Sequence, residues 1–214
     1  MPFRPFQKGK ISTNAAYLLS GVNFFLSLLF SLSVSWYIFI LIVSFILLTF
    51  IYSIPPVRFV GRGFLAQLHL AFTTGLIPLI VGALSYSDTS SITLPVFIIF
   101  IIFFLFFSFF LILKDFKDYS GDKKTGKKTI LVELDFNKSS KLVLFGSSFW
   151  FFSFIALVSL YRQSILFFLI GSVFLYLLIR ILKNVKIGSN RSFSEGRLLL
   201  LFFFIWVLLF NYSF

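Results

Sequence analysis

The chain has 214 residues, 59% of them hydrophobic, 21% aromatic and 12% charged, with 35 Phe, a single His and no Cys. A soluble domain carries about 25% charged residues and needs a polar surface, so this composition excludes one and indicates a membrane protein; without thiols there is no disulfide framework, thiolate metal site or Cys nucleophile, and His69 alone cannot make a His-rich zinc site. The net charge of +12 does not indicate nucleic acid, because the basic residues fall between long apolar runs and do not spread over a soluble face.

Seven stretches carry the roughly 20 apolar residues that a helix needs to cross about 30 Å of hydrocarbon. They are approximately 13–32, 36–53, 64–85, 92–113, 141–161, 165–184 and 196–213. The predicted fold is all-α: one transmembrane domain over 1–214, a polytopic helical bundle of about seven spans. The breaks between spans are Ser33 to Ser35, Pro55-Pro56, Ser85 to Ser91, the charged stretch 114–141, Tyr161 to Ser164, and Lys183 to Arg197.

The N-terminal segment, with Arg4, Lys8 and Lys10, feeds a full-length span, so no cleavable signal peptide is predicted. With the N-terminus inside, the loops at 1–12, 54–63, 114–141 and 180–197 share one side and carry 18 of the 19 basic residues, leaving only Arg162 opposite. That bias predicts an N-in, C-out topology with the polar loops cytoplasmic.

The second span ends at Tyr52-Ser53-Ile54-Pro55-Pro56-Val57-Arg58-Phe59-Val60-Gly61-Arg62-Gly63. Paired prolines stop the helix and stiffen its exit, holding Tyr52 and Arg58 at one membrane face. Read singly, these are an interfacial Tyr, a helix stop and positive-inside arginines. Inside the spans, Asn23, Gln67, His69, Thr73 and Thr74 are candidate cavity residues, since a buried polar group needs a partner, although an interhelical hydrogen bond is the commoner use.

The fourth span runs into Lys114-Asp115-Phe116-Lys117-Asp118-Tyr119-Ser120-Gly121-Asp122, followed by Lys123 to Thr129. On a continuing helix, positions 115, 118 and 122 stand at about 0, 300 and 340 degrees, on one face. Three carboxylates held that close repel unless a cation sits among them, and Mg2+ suits carboxylate oxygens, water and phosphate. Lys127, Lys128 and the turn at Gly126 offer positive charge and N–H groups to that phosphate. The competing reading is an ordinary loop whose acids pair with its lysines.

Together the two loops resemble the UbiA superfamily of intramembrane prenyltransferases. Asp115-x-x-Asp118-x-x-x-Asp122-x-x-x-Gly126-Lys127-Lys128-Thr129 is similar to the family's second aspartate-rich motif, and Tyr52-Ser53-x-Pro55-Pro56-x-Arg58 to its loop between helices four and five. Arg62-Gly63-Phe64-Leu65 continues the likeness. Arg4-Pro5 and Gly9-Lys10-Ile11-Ser12 resemble the segment after the family's first aspartate-rich motif, so the chain corresponds to helices three to nine of the usual nine. It lacks that first motif, and since the family uses both motifs to hold magnesium against the diphosphate, the resemblance implies an incomplete metal site and an inactive fragment. Val60 stands where related loops often carry Lys.

The resemblance implies a transferase that moves an isoprenyl group from a prenyl diphosphate to a lipophilic or aromatic acceptor within the membrane. It implies Mg2+ as cofactor, Asp115, Asp118 and Asp122 as catalytic metal ligands, and Tyr52, Arg58, Lys127 and Lys128 as diphosphate contacts. The alternative is a non-catalytic or transport membrane protein with a cation-binding acidic loop; transporter sites, however, cluster near the bilayer midplane and not in a loop.

Overall fold

A computed structural model of the chain describes residues 8–86, 93–186 and 191–212. Arg4, Asp88 and the Gly188-Ser189-Asn190 break lie outside them. The described residues are almost wholly helical, with no β-strand among them.

Helix α1 (Thr13–Val34) opens on Ser12, whose hydroxyl accepts from the Ala15 N–H at 3.2 Å. Ser35 alone joins it to α2 (Trp36–Ser53), extended at φ −166° and capping the Ile38 N–H. Such caps satisfy N–H groups that a helix start leaves without partners. Helix α2 stops at Ile54, extended because the residue before a proline is driven from the α region. Within the apolar spans, hydroxyls bond back one turn, as Ser27 does to the Asn23 carbonyl at 2.7 Å and Ser44 to Ile40 at 2.8 Å. That disposes of polar groups where no water is available.

The third span is built of α3 (Gly63–Ala71), a π-helical turn at Phe72–Leu76 and α4 (Ile77–Tyr86). Helix α5 (Leu94–Phe110) tightens into a 3-10 segment, Leu111–Phe116, and the short α6 (Tyr119–Lys124) follows. The chain ends in α7 (Ile130–Arg162), α8 (Ile165–Lys183) and α9 (Arg191–Tyr212).

The core lies among α5, α7, α8 and α9, and it is largely aromatic. Phe106 packs on Phe151 with ring centroids 5.2 Å apart, and Phe151 on Phe203 at 4.8 Å. Helices α5 and α7 approach closely at Gly146, where a Cβ would collide with the Phe109 ring. Helices α1 and α2 pack chiefly on each other, with α2 also against α4, and bury little of their surface in protein.

Six helical segments are long and apolar enough to cross a membrane, beginning at Thr13, Trp36, Gly63, Leu94, Ile130 and Ile165. They match the first six predicted spans. The seventh predicted span falls in α9, where side chains beyond Ile205 lie outside the described ones. One boundary differs substantially: α7 begins at Ile130, well ahead of the predicted 141. Its first turns carry Glu133, Asp135 and Lys138 and bend at Asp135 (φ 64°, ψ 163°), a polar helical lead-in that hydropathy alone reads as loop.

Candidate active site

The two polar loops meet. The Gly63 N–H donates to the Lys128 carbonyl at 2.8 Å, and Arg62 and Lys128 form an isolated parallel bridge. Gly63 makes this join possible in two ways. Its φ of +51° is open to glycine at little cost, and a Cβ there would lie 2.5 Å from Oε2 of Glu133. Sequence reasoning passed over Glu133; an acid in the first turn of a helix that follows a basic loop was the available signal.

The acidic segment does not continue as one α-helix. After Phe110 the backbone narrows to the 3-10 form, and Asp118 starts α6 from φ −97°, ψ −2°. The Asp118 N–H bonds to the Asp115 carbonyl at 3.0 Å and the Asp122 N–H to the Asp118 carbonyl at 2.9 Å, so the acids are carried by a 3-10 turn followed by an α turn. In a 3-10 turn, residues three apart eclipse one another, and Asp115 and Asp118 do line one cavity. Asp122 instead approaches the Lys127 ammonium at 3.4 Å through both carboxylate oxygens. Among the described residues no three acids or histidines converge closely enough to hold a metal ion.

The cavity that holds Asp115 and Asp118 has a volume of about 300 Å³. Lys114, Lys117, Lys127 and Lys128 face it from the acidic loop, and Tyr52, Gly63 and Gln67 from the other side. Asp115 is 5% exposed, and Gln67 Nε2 donates to its Oδ2 at 2.6 Å. A carboxylate taken out of water is costly unless hydrogen-bonded or paired, so Gln67 is a structural requirement of this aspartate. The other end of the same amide, Oε1, is buried and has no partner, as is Thr129 Oγ1 on the same wall. Orphaned acceptors of this kind call for a ligand, a water or an ion. Tyr52 stacks on His69 with centroids 5.0 Å apart, and Phe59 tilts against the same imidazole at 5.7 Å.

A second cavity, about 550 Å³, opens beside the first. Arg58, Arg62, Lys127 and Lys128 line it, and Val60, Lys127 and Lys128 are common to both cavities. Arg58 occupies the left-handed region at φ 37°, and Arg62 donates to the Pro56 carbonyl at 3.2 Å with its guanidinium 5.8 Å from the Phe59 ring centre. Tyr52 and Arg58, expected to act on one diphosphate, thus line different cavities.

The other in-span polar candidates divide sharply. Asn23 bonds back to Leu19 on exposed α1, and the Thr73 and Thr74 hydroxyls return to His69 and Leu70 in their own span. Only Gln67 reaches the acidic cavity, with His69 behind it as the platform for Tyr52.

The family model described as the UbiA prenyltransferase family matches residues 1–208. A curated relative is the digeranylgeranylglyceryl phosphate synthase of Pyrococcus horikoshii, 28% identical over 150 residues, which cover 68% of this chain and 50% of that protein. The chain spans about half the length of that curated relative. No solved structure matches.

Proposed function

We propose, for a chain that belongs to the UbiA prenyltransferase family, transfer of an isoprenyl group from a prenyl diphosphate to a hydroxyl or aromatic acceptor at the membrane face where the two loops meet. The observation that carries this reading is the gathering of Asp115, Asp118 and four lysines around one small cavity at the end of apolar spans. A metal diphosphate needs both signs of charge within reach. The relative's name bears on the donor and the acceptor, favouring a geranylgeranyl chain and a glyceryl phosphate hydroxyl.

The oxygen donors of the acidic cavity fit magnesium: two carboxylates and the orphaned Gln67 Oε1 offer hard ligands, and the ion completes its octahedron with water and phosphate oxygens. Asp115, Asp118 and Gln67 would hold it, and when bound it supplies charge neutralisation for a departing diphosphate. Lys114, Lys127 and Lys128 bind diphosphate oxygens, and preorganised cations favour the allylic C–O bond's ionisation as charge develops on the leaving oxygens. Asp122 acts through Lys127, holding its ammonium at the cavity wall. The basic excess on these loops supports a cytoplasmic site.

The test is incubation of the purified chain in detergent with radiolabelled geranylgeranyl diphosphate, Mg2+ and a geranylgeranyl glyceryl ether phosphate. Label should pass to the ether phosphate, Asp115→Asn and Asp118→Asn should lower the rate by about 100-fold or more, and Asp122→Asn should lower it less. Transfer undiminished in the first two variants would sink the metal assignment.

A further inference from the structure

We propose that a groove between α7 and α8, on the lipid-facing side of the bundle and apart from the two polar loops, holds one anionic phospholipid. The groove has a volume of about 580 Å³; Phe145, Phe149 and Phe152 of α7 and Ile179 of α8 line it, and Lys141 is its one charged lining residue. The three rings are 74%, 50% and 46% exposed, within a span long and apolar enough to cross a membrane. At 100° per residue, Lys138, Lys141, Phe145, Phe149 and Phe152 fall within about 80° of one face of α7. Helix α8 runs back along α7 after the turn at Gln163 and Ser164, so Lys183, one turn beyond Ile179, stands level with Lys141. Three exposed lysines thus gather at the mouth of an apolar groove. Among the described residues none of the three pairs with an acid.

Cations at one end and hydrocarbon along the rest match a phospholipid whose headgroup is negative, since juxtamembrane lysines attract anionic lipids. Phe145 and Phe149 stack with rings 12° apart in plane and centroids 6.1 Å apart, a flat wall for an extended acyl chain. Phe152 packs edge-on against Phe168 of α8 at 6.1 Å and closes the deep end. A second groove between the same helices, near Gln163 and Ser164, has a similar volume of about 560 Å³ and no charged lining residue, so the preference for an anion belongs to one leaflet. A neighbouring helix fits this face poorly, because helices associate in membranes through small residues and this face presents three phenylalanines. A second copy inserted the same way would also bring its own three lysines to the same depth, where like charges repel.

The test uses Trp150, which packs edge-on against Phe149 with centroids 5.0 Å apart, as the reporter. The full chain carrying Trp36→Phe and Trp206→Phe is placed in phosphatidylcholine vesicles with a rising fraction of dibrominated phosphatidylglycerol, and separately of dibrominated phosphatidylcholine with the same chains. Half-maximal quenching should come at about a ten-fold lower mole fraction of the anionic lipid. Adding Lys138→Gln, Lys141→Gln and Lys183→Gln should bring the two midpoints together while both lipids still quench, which also shows that the protein remains inserted. Removing the same charge elsewhere, by Lys10→Gln, Lys123→Gln and Lys124→Gln, should leave the preference in place.

Equal midpoints in the chain with all its lysines would make the groove ordinary lipid contact and overturn the site. A preference lost equally in both lysine triples would assign it to the net charge of the whole face, which overturns it as well. Quenching by neither lipid until the protein is diluted in the membrane would mean that a second copy covers the face, and the phospholipid would not be its occupant.

Discussion

Gln67 and Asp115 are 48 positions apart in the chain and share a 2.6 Å hydrogen bond in a buried setting. The amide nitrogen satisfies the carboxylate, and the amide oxygen is buried without a partner. Gln67→Leu removes both groups while keeping the volume. It should destabilise the protein by about 1–3 kcal/mol in denaturant titration, the usual result of leaving a buried acceptor unsatisfied. It should also weaken Mg2+-dependent binding of a non-cleavable geranylgeranyl thiodiphosphate. Stability loss without a binding change would show that Gln67 only supports the fold. At this scale the sequence made Asp115, Asp118, Tyr52 and the basic turn legible, because each sits in a motif of short spacing. Gln67 was legible only as a polar residue in a span, since its partner is set by the packing of α3 against the 3-10 segment that follows α5.

At the scale of elements, three departures from the regular α-helix organise the site. The 3-10 segment at Leu111–Phe116 carries Asp115, the turn after it brings Asp118 to the same cavity at the start of α6, and Asp122 follows within α6, paired with Lys127. The left-handed Gly63 lets the start of α3 hydrogen-bond to Lys128 with Glu133 packed against it. The π turn at Phe72–Leu76 lies one helical segment on, with Gly75 facing the Phe107 ring, where a Cβ would come within 3.2 Å. Gly63→Ala meets both a positive φ and the Glu133 carboxylate, so it should cost about 1–3 kcal/mol in thermal or denaturant unfolding. Glu133→Ala in the Gly63→Ala background should restore the steric part of that loss and leave the backbone part. Full restoration would mean that φ strain contributes nothing. Helical periodicity assumes one fixed angle per residue, so the sequence yielded the spacing of the acids without the change of winding from the 3-10 segment to α6 that carries them.

For the whole molecule, stability comes from close packing between spans, because lipid tails are as apolar as the side chains and little hydrophobic gain is left between helices. The contact of α5 with α7 at Gly146 and the Phe106, Phe151 and Phe203 stack express this. Gly146→Val should force α7 away from Phe109 and cost about 1–3 kcal/mol, read as a lowered unfolding midpoint in detergent. An equal substitution at Gly82, which has open space around its Cα, should cost less. If the two variants melt together, helix apposition at Gly146 is not the limiting contact.

The sequence by itself determined the class of molecule and most of its spans, because crossing a membrane demands long apolar runs and leaves charge only at their ends. It also brought out the two loops, since their residues are close along the chain. Tertiary structure decided how those loops divide their charges: the Gly63–Lys128 join sets them edge to edge, Asp115 and Asp118 line one cavity, and Arg58 and Arg62 line its neighbour. Cavities are formed by elements distant in sequence, and what lines each one follows from backbone turns and helix contacts that no local spacing encodes. The +12 charge that first appears as a topological signal is, in the folded chain, also the lining of a basic cavity beside an acidic one.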